Sequence, residues 1–203
     1  MPSYEFENAA REKGFVNICG VDEAGRGPLA GNVVAGAVIM PQGLIIDGLD
    51  DSKKLSEKKR EALYEIITEK TIWSVAWATP AEIDAYNILG ATMLAMKRAI
   101  EGLPQKADYA LIDGNRAKGF DIPLETIVKG DSKSFSISAA SIIAKVTRDR
   151  QCLELDRKYP EYGFAIHKGY PTKAHMEAVI KLGPCPEHRK SFLSFVGRAK
   201  NEK

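Results

Sequence analysis

The sequence predicts an α/β domain, a mixed β-sheet flanked by helices with a helical C-terminal region. Three observations carry this expectation. Apolar runs of strand length recur along the first two thirds of the chain, segments of helical periodicity come between the later ones, and the order closes on helices alone.

Residues 15–22 (FVNICGVD) and 32–40 (NVVAGAVIM) read as strands, and the turn-rich AGRGPLAG between them makes an antiparallel pair. The glycines of that turn let its backbone come close to something else. Residues 71–78 (TIWSVAWA) alternate bulky and small side chains as a third strand. Thr79-Pro80-Ala81-Glu82 then announces a helix, with Thr79 as cap, Pro80 in the first position and Glu82 completing a capping box. A second helix over Ile88 to Glu101 carries Leu89, Met93, Met96 and Ile100 at helical spacing and stops near Gly102. YALID (109–113) is a nearly continuous apolar run, the pattern of a buried central strand, and LETIVKG (124–130) is another strand. Helices follow over Ser138 to Tyr159, ended by Pro160, and over Thr172 to Leu182, closed by Gly183-Pro184. The last segment, to about Arg198, is also expected to be helical.

With 203 residues, 44% of them apolar, the chain is expected to form one domain, residues 1–160 as a sheet-and-helix core and 161–203 as a helical flank. No repeat, low-complexity stretch or linker divides it. The net charge of +2 conceals 29 basic and 27 acidic side chains, so nucleic acid is not excluded; what matters there is how charges cluster. Cys19, Cys152 and Cys185 form no CxxC or Cys/His pattern, which argues against a disulfide framework or zinc site and for reduced thiols. The N-terminus is polar, and the longest apolar run, Val33 to Met40, is far short of the roughly 20 residues of a membrane span. A soluble cytoplasmic protein with no membrane partner is expected.

Asp22-Glu23 ends an apolar strand and opens a Gly-rich turn. Carboxylates at a buried strand end cost several kcal/mol unless compensated, and Mg²⁺, a hard dication that prefers oxygen ligands, compensates them. A solvated acidic turn is the competing reading. Asp113 also ends an apolar strand before a glycine, and Asp131 follows Gly130 just past another strand; each reads equally as a turn residue. Together, four carboxylates at element ends suggest a two-metal site, which clamps the attacking and leaving oxygens of a phosphoryl displacement and requires no Ser or His nucleophile. Gly25-Arg26-Gly27 places a flexible backbone and a phosphate-pairing arginine beside the acidic pair, although a hairpin turn explains it too. Asp51-Ser52-Lys53-Lys54 with Lys58, Lys59 and Arg60 is either a solvated helix start or a phosphate-backbone contact, and Lys145, Arg148 and Lys168 are weaker candidates of the same kind. Tyr170, in HKGYPTKAH, is an aromatic in a basic loop suited to stacking on a sugar or base, or an ordinary half-buried tyrosine.

GVDEAGRGPLAG (20–31), DSKKLSEKKRE (51–61), LIDGN (111–115), GDSKSFSISAASIIAKVTRDR (130–150) and YGFAIHKGYPTKAH (162–175) resemble ribonuclease HII, the type 2 ribonuclease H, in order over nearly the whole chain. The resemblance implies a ribonuclease-H-like fold. It also implies cleavage of RNA in RNA–DNA hybrids, and incision 5′ of single ribonucleotides in duplex DNA leaving 3′-hydroxyl and 5′-phosphate ends, as in ribonucleotide excision repair and DNA replication. It implies two Mg²⁺ or Mn²⁺ ions on Asp22, Glu23, Asp113 and Asp131. Gly25, Arg26 and Gly27 would sense the ribose 2′-OH through their backbone, and Tyr170 would stack on the adjoining deoxyribose. A monomer is expected. The charged tail GRAKNEK shows no apolar docking motif for a replication clamp. One position departs from the family: where glycine more often follows the tyrosine, this chain has Pro171, so the loop is either pre-set for stacking or differently shaped. A DNA resolvase on the same fold, a catalytically silent hybrid-binding module and a small-molecule phosphohydrolase are the rival classes.

Overall fold

A computed structural model of the chain describes residues 2–196. Five strands form one mixed sheet in the order β3-β2-β1-β4-β5: β1 (Ile18–Ala24), β2 (Val33–Ile39), β3 (Ile72–Ala78), β4 (Tyr109–Asp113) and β5 (Leu124–Ile127). The first three are antiparallel neighbours, and β1, β4 and β5 run parallel. The expected antiparallel pair and the central strand 109–113 are therefore present. β1 reaches past Asp22 to Ala24, whereas β5 stops at Ile127; left-handed Lys129 (φ 58°) then turns the chain into a 3-10 turn, Gly130–Ser132.

The helices are α1 (Glu5–Glu12), α2 (Glu57–Lys70), α3 (Pro80–Glu101), α4 (Phe135–Lys158), α5 (Phe164–His167) and α6 (Lys173–Leu182). The Thr79 capping box is formed, its backbone N–H donating to Glu82 Oε2 at 2.8 Å. The two helices expected after Thr79 are joined into α3 across a kink at Asn87, whose φ of 57° no regular helix contains. The helix expected from Ser138 begins three residues earlier, because Ser134 caps it by accepting from the Ile137 N–H at 3.2 Å. Near the C-terminus Lys190–Phe192 is a 3-10 turn and residues 194–196 are helical; the rest of the segment expected to be helical to about Arg198, and the tail discussed above, fall on residues 197–203, which lie outside the described part.

α3 covers one face of the sheet, over Val21, Ala35, Ala37 and Ile112. On the other face lie α4 and α2, packed with Val38, Leu63, Ile67 and Ile142, while α1 closes the edge over Tyr109 and Leu111. A smaller apolar cluster of Ala30, Tyr162, Phe164 and Val179 seats the C-terminal flank. No helix among the described residues is long and apolar enough to cross a membrane.

α4 meets the sheet backbone to backbone. A Cβ on Gly20 would stand 2.1 Å from the Ser136 carbonyl carbon, and one on Gly36 would stand 2.6 Å from the Ala140 carbonyl oxygen. Small residues on the helix, Ser136, Ala139 and Ala140, complete the close approach. α1 fastens the entry to this helix: buried Glu7 accepts from the Ser134 hydroxyl at 2.7 Å and the Ser136 N–H at 2.9 Å. Gly20→Ala is expected to destabilise the fold by about 3 kcal/mol, the upper range for overpacking, because the obstructing atoms are backbone and have no rotamer to escape into. Urea unfolding checks this; a midpoint within error of the parent would contradict the contact.

Candidate active site

Asp22 and Gly36 are cross-strand partners, and Gly20 lies two residues before Asp22, so the three share the face on which α4 packs. That places the Asp22 carboxylate beneath the helix, 4% exposed, while Glu23 turns to the opposite face. Val21 pairs with Ile112 on parallel β4, which sets Asp113 beside Asp22 at the same sheet edge. Asp113 Oδ1 accepts the Gly130 N–H at 2.6 Å and so ties the 3-10 turn carrying Asp131 to the end of β4. Three strand-end carboxylates and one turn carboxylate thus meet where the parallel strands end.

The charges there are poorly compensated. Burial, followed by repulsion from Glu23 and Asp113, pushes the Asp22 carboxyl well above the usual range, against the opposing pull of the Glu23 N–H and the Ser141 hydroxyl. Burial also raises Glu23, and burial with repulsion from Asp113 and Asp51 raises Asp131. The nearby cations are exposed: Lys53 Nζ is 3.8 Å from Asp131 Oδ2 and Arg26 Nη1 is 3.3 Å from Glu23 Oε1. Burial pulls Lys53 down, yet Asp22, Asp131, Asp51 and Asp113 outweigh it and leave the ammonium more basic than usual. Among the described residues, no three His, Cys, Asp or Glu side chains stand close enough to hold a metal ion as they are. The donor set still fits a hard dication, being oxygen only, partly buried and short of positive charge.

A groove of about 400 Å³ opens from Glu23 along Gly25, Arg26 and Gly27 to Tyr170, with Lys53, Lys145 and Lys168 on its walls. Tyr170 is half-exposed and its ring lies against Gly27, where an added Cβ would meet Tyr170 Cε1 at 3.4 Å. Pro171 is accommodated. The Thr172 N–H donates to the Tyr170 carbonyl at 2.8 Å across it, a three-residue turn whose central φ proline adopts.

The remaining basic candidates divide. Arg148 is buried, 3% exposed, and donates to the Ala30 carbonyl at 2.7 Å, so it supports the loop from beneath while forming part of the groove lining. Arg60 is tied to the Ser52 and Leu55 carbonyls and holds the Lys53 loop.

Sequence reasoning missed Arg189. Fully buried, it spends all five N–H donors on backbone carbonyls: Nε to Gly31, Nη1 to Arg26 and Pro28, Nη2 to Gly25 and Asn32, at 2.6–3.1 Å. Burial and the charge of Arg148 bring it down to about 9, so it remains cationic at neutral pH. In CPEHRKSF it reads as one more basic surface residue; only the loop it grips, more than 150 positions earlier, distinguishes it. Ser52 was named only as part of the basic stretch; its hydroxyl pairs with Ser141 at 2.8 Å, a contact the sequence did not mark.

The ribonuclease HII family model matches residues 19–195. A ribonuclease HII of Laribacter hongkongensis is 59% identical over 178 residues, 86% of this chain and 90% of that one. Among solved structures, the ribonuclease H2 of Pyrococcus horikoshii superposes with a TM-score of 0.76 at 27% identity, covering 93% of this chain and all of that one. Bst-RNase HIII, solved in complex with Mn²⁺, shares the fold with a TM-score of 0.75 at 18% identity, over 96% of this chain and 73% of that one.

Because the Asp22 pKa is raised on folding, its contribution to stability is fully present below the ordinary carboxylate range and is lost as pH rises through the folded value. Asp22→Asn keeps the oxygen that accepts the Glu23 N–H at 2.7 Å and removes the buried charge. In EDTA the variant is expected to be more stable than the parent by about 1 kcal/mol or more at neutral pH, and the gap should close toward pH ~4. Thermal melts across pH check this; a less stable variant at neutral pH would contradict the electrostatic account.

Proposed function

The chain belongs to the ribonuclease HII family, a family of divalent-metal-dependent nucleases, and on that premise we propose that it hydrolyses the RNA strand of RNA–DNA hybrids and incises 5′ of a single ribonucleotide in duplex DNA. One observation carries the reading: the groove that runs along the Gly25-Arg26-Gly27 loop to Tyr170 starts at Glu23, one of the four carboxylates, so the sugar-reading elements lie directly beside the acidic edge.

Asp22, Glu23, Asp113 and Asp131 are the residues that would hold two divalent cations, Mg²⁺ or Mn²⁺. When bound, these supply Lewis-acid charge for a water attacking phosphorus and for the departing oxygen. In the displacement the water oxygen bonds to phosphorus as it gives up a proton to solvent, the P–O3′ bond breaks, and the 3′ oxygen takes a proton from solvent to leave as a hydroxyl, which gives 3′-hydroxyl and 5′-phosphate ends. Lys53, kept charged by the carboxylates around it, draws the phosphodiester toward them. The Gly25–Gly27 backbone reads the 2′-OH, the one group that distinguishes a ribonucleotide from its DNA neighbours. Tyr170 stacks on the adjoining deoxyribose across Gly27.

The direct test incubates the protein with Mg²⁺ or Mn²⁺ and a duplex bearing one ribonucleotide, beside all-DNA and EDTA controls. Cleavage confined to the ribonucleotide duplex with metal is expected; cleavage of the all-DNA duplex favours a resolvase, and no cleavage favours a silent binding module. Asp22→Asn and Asp113→Asn are each expected to lower turnover by on the order of 10³-fold with unchanged circular dichroism. Gly27→Ala is expected to fold, since its methyl group meets Tyr170 at contact distance, yet to lose more activity on the single-ribonucleotide duplex than on an all-RNA hybrid. Equal losses on the two substrates would remove the loop from junction recognition.

A further inference from the structure

All three histidines of the chain stand in one cluster behind Tyr170. His167 stacks on His175 with ring centroids 4.2 Å apart, and His175 and His188 are 5.3 Å apart. His175 is fully buried and His188 nearly so. Their ring nitrogens form a chain. His175 Nδ1 lies 2.9 Å from the Tyr170 carbonyl, His175 Nε2 lies 3.1 Å from His188 Nε2, and His188 Nδ1 receives the Cys185 N–H at 3.0 Å.

The ends of the chain assign every proton. A carbonyl only accepts, so His175 carries its proton on Nδ1 and offers Nε2 as an acceptor. His188 therefore carries its proton on Nε2, and its Nδ1 is free to accept from Cys185. Each contact has one proton, both rings are neutral, and the direction runs from residue 185 to Tyr170. An extra proton on either ring would set two donors face to face. Consistent with this, burial lowers both rings below the usual histidine range, and His175 presses His188 further, to about 4.

The chain's two ends hold the elements of the substrate groove. At one end is the Tyr170 carbonyl, in the turn around Pro171. At the other, His188 pairs with Ala30 as an isolated bridge, and Arg189 follows directly, with its N–H on the Leu29 carbonyl and its guanidinium gripping the carbonyls of residues 25–32. The Leu29 N–H closes the circuit by donating to the Gly169 carbonyl at 2.8 Å.

We propose that His175 and His188 are positioning residues, a neutral and directional hydrogen-bond relay that sets the distance between the Tyr170 ring and the Gly25-Arg26-Gly27 backbone and thereby the preference for a ribonucleotide–DNA junction. This rests on the reading that Tyr170 and the glycine loop recognise the junction. The relay touches neither substrate nor the carboxylates, so its effect falls on binding selectivity and not on the chemical step.

The test measures KM and kcat of the full-length protein on a single-ribonucleotide duplex and on an all-RNA hybrid. For His175→Leu, which keeps bulk and removes both hydrogen bonds, the ratio of the two kcat/KM values is expected to shift about tenfold against the junction, the scale of lost hydrogen bonds in a packed site, and KM should carry the change. His175→Asn, which retains a donor near the Tyr170 carbonyl, should restore most of the preference. Tyr170→Ala serves as the reference. If it leaves the preference unchanged, the junction reading fails and the relay proposal falls with it. If it alters the preference while His175→Leu does not, the relay proposal alone is overturned. Should His175→Leu fail to fold, ¹⁵N imidazole spectra of the parent protein decide near neutral pH: Nδ1–H on His175 with Nε2–H on His188 supports the relay, and any other tautomer pair or a charged ring overturns it.

Discussion

The contact between the α4 backbone and two strand glycines underlies the rest of this structure. Gly20 and Gly36 have no side chains to hold the helix off, so α4 lies directly on β1 and β2. That closeness puts the Asp131 turn, one step before the helix, against the end of β4, and it puts Ser141 over Asp22. It also makes the first half of the helix almost wholly buried, which explains its content of serine and alanine. The fold is packed tightest where the site needs its elements nearest together.

The carboxylate edge is the opposite case, a place where the folded chain is held in an unfavourable arrangement. Burial and mutual repulsion raise Asp22, Glu23 and Asp131 together, and among the described residues the exposed Lys53 and Arg26 approach them with positive charge. A sheet, a capped helix and a pinned turn hold four like charges that would otherwise separate. Such an arrangement persists because the scaffold over-determines it, and its charge deficit is what makes oxygen-ligated cations its natural complement.

The substrate loop is organised on a different principle. Its carbonyls are collected by one arginine from the far end of the chain, with a second arginine, Arg148, beneath. Neither has a carboxylate partner among these contacts; the loop's own carbonyl dipoles take that part. The result is a glycine loop held from beneath by two buried arginines. The contacts of His175 and His188 continue from this arrangement to the Tyr170 carbonyl.

Much of this was legible in the residues. Alternation and apolar runs marked all five strands, and Thr79-Pro80-Ala81-Glu82 marked a helix start, because pattern and capping are local properties. The motif blocks marked Asp22, Glu23, Asp113 and Asp131 and the glycine loop. The sequence did not mark α1 as a helix, and it left the α2 region as no more than a basic helix start, since their faces are defined by what they cover. It placed Arg148 among the phosphate candidates, while the structure buries it. Arg189, the pairing of Ser52 with Ser141 and the joining of the histidines went unmarked, because each acts through partners between 13 and more than 150 positions away. The sequence by itself determined which chemical groups this chain possesses and which local elements carry them. Only the tertiary structure decided which groups share a field, a groove or a hydrogen bond, because distance in space, not in sequence, sets electrostatic repulsion and donor–acceptor geometry.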